Sequence, residues 1–78
     1  MTNEERCAVL AQKLDLIAVE KTRVLEAYHE KGDRFYKDLA YHYDDMFDQL
    51  THLMVDLEFD YTFDFETHKH RVWEHGKH

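Results

Sequence analysis

The sequence predicts a mainly α fold: an antiparallel helical hairpin followed by a short C-terminal extended or β element. Three observations lead to this prediction. Two long segments repeat apolar residues at helical spacing, a Lys-Gly-Asp junction separates them, and the apolar period then changes to that of a strand. At 78 residues the chain has room for one domain, which we assign to residues 1–78.

The first helix is predicted over about residues 3–31. Thr2 and Glu5 have the spacing of a capping box, in which each side chain accepts a hydrogen bond from the other residue's backbone N–H. Gly32 is expected to end the helix, because glycine adopts a positive φ at a helix C-terminus without strain. Between these ends, apolar residues recur every three or four positions, interrupted only at Lys21, and form one stripe. They are Cys7, Leu10, Leu14, Ile17, Val24 and Tyr28, with Leu16, Val19 and Leu25 widening the stripe.

The second helix is predicted over about residues 34–57, with Asp33 as its N-cap. The short Gly-Asp connection makes the two helices antiparallel neighbours. An unbroken apolar stripe is formed by Tyr36, Leu39, Tyr43, Met46, Leu50, Leu53 and Leu57. Beside it lie Phe35, Ala40, Phe47 and Met54.

The extended segment is predicted over about residues 59–73, with a tail at 74–78. Apolar and polar residues alternate strictly from Val55 to Glu66, which is the period of a strand. The strand itself is expected at about Phe59–Phe65.

A second short strand at His68–Trp73 would pair back on the first across Glu66 and Thr67. That register sets Asp64 opposite Lys69 and places Phe63 and His70 on the other face. No Gly or Asn marks the turn between the strands. A third helix, or an aromatic segment packed over the first two helices, therefore remains an alternative.

The motifs of catalysis are missing from the sequence. There is no Gly-rich phosphate loop, no Ser-His-Asp order and no zinc-finger spacing. Cys7 is the only cysteine, and nothing near it in the sequence supplies a base to activate it. We therefore predict a buried thiol, no catalytic residue, no cofactor and no enzymatic activity.

The same lone cysteine bears on the compartment. It excludes an intrachain disulfide, which a secreted domain of this size would normally need. The first residues lack the basic and apolar regions of a signal peptide, and no apolar run approaches the length of a membrane span. The expected location is the cytoplasm, with no membrane partner.

Seven histidines raise the hypothesis of a metal-binding protein. Glu26 and His29 have the Glu-x-x-His spacing of carboxylate di-metal bundles, but helix 2 lacks the matching inward glutamates. The tail offers pairs of imidazoles two or three residues apart, at His68 and His70 and at His75 and His78. Such pairs lack a third rigid ligand, so no metal site is predicted and metal binding stays an alternative.

The distribution of charge is the most distinctive feature. The formal net charge is -7, from 17 acidic and 10 basic residues. Residues 38–68 contain no Lys or Arg, so the negative excess lies on one stretch, and direct binding to nucleic acid or an anionic membrane is disfavoured. Asp44, Asp48 and Asp56 lie four or eight residues apart on helix 2, with His52 between them and Asp45 beside them. Like charges at this spacing repel one another, and helix 2 tolerates that repulsion.

A row of carboxylates on a rigid helix is similar to the row of charges on a nucleic-acid backbone, so a basic cleft could bind either one. The aromatic residues interleaved with it are suited to anchor an interface: Tyr41, Phe59, Tyr61, Phe63 and Phe65. The predicted partner-binding residues are Asp44, Asp45, Asp48, Asp56, Glu58, Asp60, Asp64, Glu66, Tyr41 and Tyr61. These residues predict a regulator or inhibitor that docks on a basic surface of another protein, often one that holds nucleic acid. The competing interpretation is a solubilising acidic face, with the strand aromatics as core.

In size, charge and lack of catalytic motifs the chain resembles virus-encoded inhibitors of host nucleic-acid enzymes and defence systems. The resemblance implies a DNA-mimicking phage protein acting in the host cytoplasm. A structural homo-oligomeric helical bundle is the alternative. A homodimer is expected in either case, with aromatic faces meeting, because so small a chain has little spare stability and much apolar surface to cover.

Overall fold

The computed structural model describes residues 1–77. Its elements, in chain order, are α1 at Asn3–Lys31, α2 at Arg34–Asp56, β1 at Phe59–Asp64 and β2 at Lys69–Glu74. The predicted helical hairpin and C-terminal β element are confirmed, and the alternative of a third helix is wrong. Within the described residues, no helix is both long and apolar enough to cross a membrane.

Local side chains define the ends of both helices. Thr2 Oγ1 accepts a hydrogen bond from Glu5 N–H at 3.1 Å, and Glu5 Oε1 accepts one from Thr2 N–H at 3.3 Å. At the other end of α1, Gly32 has a φ of +67° and donates its N–H to the carbonyl of Tyr28. Asp33 then caps α2 by accepting the N–H of Phe35 at 2.9 Å. The predicted capping box, glycine stop and Asp N-cap are all present.

The two strands form an antiparallel hairpin in the predicted register, with Asp64 opposite Lys69 and Phe63 opposite His70. β1 begins at the predicted residue and ends one residue earlier, and β2 lies one residue later than predicted. The turn contains neither Gly nor Asn. Asp64 Oδ1 instead accepts the N–H of Glu66 at 2.9 Å, and His68 takes a positive φ of 56°. A carboxylate that closes the turn replaces the missing turn residues.

The core lies where the β-hairpin covers the helical hairpin. Its buried residues come from three elements: Cys7, Leu10, Leu14, Met54 and Phe59. Leu14 and Met54 are wholly buried. β2 packs along α1, while β1 lies against α2. Small side chains on α1 allow this approach, since Ala8 and Ala11 line a cleft with Val72 and Trp73.

The buried face of α2 differs from the predicted stripe. Ala40 and Met54, which were placed beside the stripe, are buried, whereas Leu53 and Leu57 on the stripe remain exposed. The β-hairpin causes this shift because it packs on one side of α2 only, where the Phe47 ring meets Tyr61. The rest of the stripe is half-buried, and Leu50 packs against the edge of the core.

Candidate acidic interface

Four predicted partner-binding residues share the solvent side of α2. We call Tyr41, Asp45, Asp48 and Asp56 the outer acidic face. All four are exposed, and none of the three carboxylates forms an ion pair with another residue of 1–77. Asp45 and Asp48 are one turn apart, about 5–6 Å between Cβ atoms. From Asp45 to Asp56 the helix rises roughly 16 Å, so the face is a rigid row of charge.

Asp44 does not belong to this face. Its Oδ1 forms an ion pair with Nζ of Lys21, and both side chains are partly buried between the helices. Asp44 was predicted to face solvent in line with Asp48 and Asp56; its side chain is 49% exposed, but its carboxylate is paired with Lys21 of α1. Asp44 follows the buried Ala40 by one turn, which turns it towards α1. The same contact gives a role to Lys21, the residue that interrupts the apolar stripe of α1.

The strand carboxylates are held by neighbouring groups. Asp60 Oδ2 lies 2.8 Å from Nδ1 of His75. Asp64 closes the β-turn, and the N–H of Glu66, followed by Thr67 and the nearby Arg71 guanidinium, lowers the pKa of its carboxyl. Asp60 and Asp64 therefore have partners within their own chain.

Two further predicted carboxylates are exposed and form no ion pair within residues 1–77. Glu66 lies in the β-turn, and Glu58 lies between α2 and β1 with a positive φ of 60°. Neither lies on α2, so neither extends the outer acidic face.

Strand pairing also divides the acidic stretch. In the hairpin, Asp64 is opposite Lys69 and Thr62 is opposite Arg71, so cations from the end of the chain return beside the strand carboxylates. The β-hairpin surface is therefore mixed in charge, whereas the outer acidic face remains uniformly negative. The sequence holds the signal for this division, because the predicted register already paired Asp64 with Lys69.

The predicted aromatic anchors have different environments. Tyr41 is 57% exposed beside the carboxylates of α2. Tyr61 is exposed, with its ring edge-to-face on Phe47 at 6.1 Å between centroids. Phe59 is buried in the core, so it is unable to anchor a partner. Phe63 is half-buried, and its ring supports that of the exposed Phe65 at 5.0 Å.

Sequence reasoning missed the contact that holds β2 on α1. Asp15 Oδ1 accepts the backbone N–H of His70 at 2.7 Å and lies 2.8 Å from its Nδ1. The His70 side chain is only 8% exposed. The available signal was the position of Asp15 directly after the buried Leu14, where a carboxylate needs a hydrogen-bonding partner.

The groups that raised metal or nucleophile hypotheses are separated in the fold. Among residues 1–77 no three His, Cys, Asp or Glu side chains are grouped so as to hold a metal ion. His70 and His75 each contact one Asp, while His78 lies outside the described residues. Cys7 is buried, and its burial, with a smaller effect of Glu74, raises the pKa of the thiol. A raised pKa favours the protonated thiol over the nucleophilic thiolate.

Comparisons with known proteins give no match: no protein-family model, curated protein or solved structure is similar to this chain. The residues of the fold itself offer two surfaces to a partner. One is the outer acidic face, and the other is the uncovered side of the helical hairpin.

Proposed function

We propose that this chain is a small acidic binding protein, a regulator or inhibitor, whose outer acidic face docks on a basic surface of a partner protein. One observation carries the proposal: three carboxylates are exposed on one rigid helix without a cation beside them. On α1, by contrast, the partly exposed Glu20 lies beside Arg23 at 3.0 Å. The proposal assigns no catalytic role to any residue.

The cost of leaving these charges unpaired supports a role beyond solubility. Like charges one turn apart on a helix destabilise it by roughly 0.2–0.5 kcal/mol per pair. Lys or Arg at neighbouring exposed positions would remove that cost, as Arg34 does for Asp38 at 3.8 Å. An uncompensated row instead creates a field that steers a basic partner towards α2 and opposes acidic ones.

The geometry of the face also supports a class of partner. Its surface carries Lys and Arg along a groove or cleft that accepts a helix, as in proteins that bind a nucleic-acid backbone. Tyr41 supplies an aromatic contact within the charge row. The resemblance in type to virus-encoded nucleic-acid mimics supports the same partner class. The proposed site lies on α2 alone, because the strand carboxylates Asp60 and Asp64 already have partners.

Charge reversal within the outer acidic face tests the proposal. The double variant Asp45→Lys, Asp48→Lys should fold and lose its partner. The control, Glu26→Lys with Glu30→Lys, makes the same change in net charge on exposed positions of α1. Each protein is immobilised and exposed to bacterial lysate, and the retained proteins are identified by mass spectrometry. The native chain and the control should retain a basic protein that double-stranded DNA or added salt releases.

The outcome that contradicts this function is equal retention by the native chain and the Asp45, Asp48 variant. The acidic face then serves solubility only. A structural homo-oligomeric bundle would be the better function in that case. One observation favours this second candidate: apolar side chains at the uncovered side of the helical hairpin.

A further inference from the structure

An apolar groove runs between α1 and α2 on the side that the β-hairpin leaves uncovered. It has a volume of about 570 Å³. Its lining consists of Lys13, Leu16, Ile17, Tyr43, Met46, Gln49, Leu50 and Leu53. Leu16 is 51% and Leu53 44% exposed, so large apolar side chains border the groove on both helices. Lys13 is the only charged residue in the lining.

Two of the aromatic residues that the sequence suggested as a dimer contact pack within their own chain. Phe59 is buried against its own helices, and Phe63 packs on His70 of its own chain. The groove on the helices is a second apolar surface, in addition to the exposed Tyr61 and Phe65. Its lining includes Tyr43, Met46, Leu50 and Leu53 of the predicted α2 stripe.

The two borders of the groove have opposite charge. Arg6 precedes Lys13 by seven residues, and Asp56 follows Gln49 by seven, so each pair shares one side of its helix. Lys13 and Gln49 line the groove from opposite helices. The α1 border thus carries cations at this end of the hairpin, and the α2 border ends in a carboxylate.

The positions of these residues along the axis of the helical hairpin follow from contacts between α1 and α2. Cys7 and Met54 belong to one core cluster, and Lys21 pairs with Asp44. In the same antiparallel register, Arg6 lies within one turn of the height of Asp56. By the same counting, Val9 is level with Leu53 and Leu16 with Met46.

We infer that this groove is the contact surface for a second copy of the chain. A two-fold axis parallel to the helices places α1 of one copy over α2 of the other, in antiparallel orientation. Arg6 then faces Asp56 of the second copy, and Leu53 faces its Val9. Leu16 likewise faces Met46, so a single arrangement brings apolar residues against apolar residues and opposite charges together. The product is a four-helix bundle with the β-hairpins outside.

Charge complementarity favours a second copy of the chain as the partner that fills the groove. The whole chain has a net charge of -7, so two copies repel each other over most of their surfaces. At the border of the groove the Arg6 cation of α1 meets the Asp56 carboxylate of α2, and the two-fold arrangement makes this contact twice. The inference shares Asp56 with the outer acidic face, but the test of the proposed docking function uses Asp45 and Asp48 only, so the two tests are separate.

Sedimentation equilibrium of the full chain tests the inference. The native protein should form dimers at micromolar concentration. Leu53→Lys should raise the dimer dissociation constant at least about tenfold, because each dimer contains the substitution twice. Val55→Lys is the matched control: Val55 is 71% exposed, lies two residues away on the same helix, and is absent from the groove lining. This control should leave the dissociation constant within about twofold of the native value.

Two further measurements keep the result interpretable. If Leu53→Lys melts at low temperature, Leu16→Lys takes its place on the other helix. Arg6→Glu and Asp56→Arg should each raise the dissociation constant about threefold, and the two together should restore it, since the swapped charges attract again.

A monomeric native chain overturns the proposal, and so do dimers that the groove variants leave unchanged. Failure of the charge swap to recover affinity would rule out the two-fold arrangement. None of these outcomes alters the expected behaviour of the Asp45, Asp48 variant.

Discussion

Asp15 and His70, which are 55 residues apart in the chain, are joined through a single carboxylate oxygen. Asp15 Oδ1 accepts the backbone N–H of His70 at 2.7 Å and lies 2.8 Å from Nδ1 of the same residue. Because a carboxylate only accepts hydrogen bonds, this geometry places a proton on Nδ1. The imidazole is also enclosed by rings, with Phe63 at 5.0 Å and Phe47 at 5.9 Å. One side chain of α1 therefore fixes both the backbone and the ring of β2.

Removing this carboxylate should destabilise the fold. Asp15→Ala leaves the half-buried His70 N–H and imidazole without an acceptor, which costs about 1–3 kcal/mol. For a domain of this size that corresponds to a fall in melting temperature of several degrees. Thermal unfolding followed by circular dichroism measures it, with the exposed Glu30→Ala as control. A melting temperature equal to that of the control would show that β2 is held by packing alone.

Because Asp44 is paired with Lys21, we expect its substitution to change stability differently from substitution of the other α2 carboxylates. Asp44→Lys should lower stability, because it puts two cations together between the helices. Asp48→Lys should leave stability unchanged or slightly raised, because it relieves repulsion on an exposed face. The double change Lys21→Asp with Asp44→Lys should recover most of the loss, which for a partly exposed pair is about 0.2–1 kcal/mol. Urea denaturation compares the four proteins, and equal effects of Asp44→Lys and Asp48→Lys would contradict the assignment.

The pKa of His75 should be higher than that of an ordinary histidine. Its hydrogen bond and charge contact with Asp60, with a smaller effect of Glu58, raise the pKa. A raised pKa in the folded state means that the contact stabilises the fold fully below the unfolded pKa of histidine. This contribution is lost as the pH rises through the folded value. Titration of the His75 ring protons by NMR should show the raised pKa, and Asp60→Asn should lower it. The same pKa in both proteins would mean that the contact is absent in solution.

Cys7 should react slowly with thiol reagents in the folded protein. Burial raises the pKa of its thiol and also blocks access to the sulfur. Labelling with a disulfide reagent at neutral pH should be much slower in buffer than in urea, where the thiol regains its ordinary pKa and exposure. Equal rates in the two solutions would place Cys7 outside the core.

Features set by neighbouring residues were predictable from the sequence. The capping box at Thr2, the glycine stop at Gly32 and the Asp33 cap each depend on residues within one turn. The strand register was also predictable, because alternation and the length of the turn left few choices. These features were enough for the helical hairpin and its C-terminal β element.

Features set by distant residues were not predictable from the sequence. The face that α2 buries depends on which side the β-hairpin covers, and that placement is fixed by Asp15 and His70. Lys21 and Asp44 are also far apart in the sequence, so their pairing was not predicted. This pairing removes one carboxylate from the candidate site. A helical wheel ranks positions by spacing alone and carries no information about a third element.

The packing of β2 on α1 also determines when the core can close during synthesis of the chain. α1 and α2 are synthesised first, but Cys7 and Leu14 lack their cover until residues 69–74 have followed. A nascent chain that ends before β2 therefore carries an open apolar surface on its first helix, of the kind that chaperones bind. Closure of the core has to wait until translation has passed Glu74.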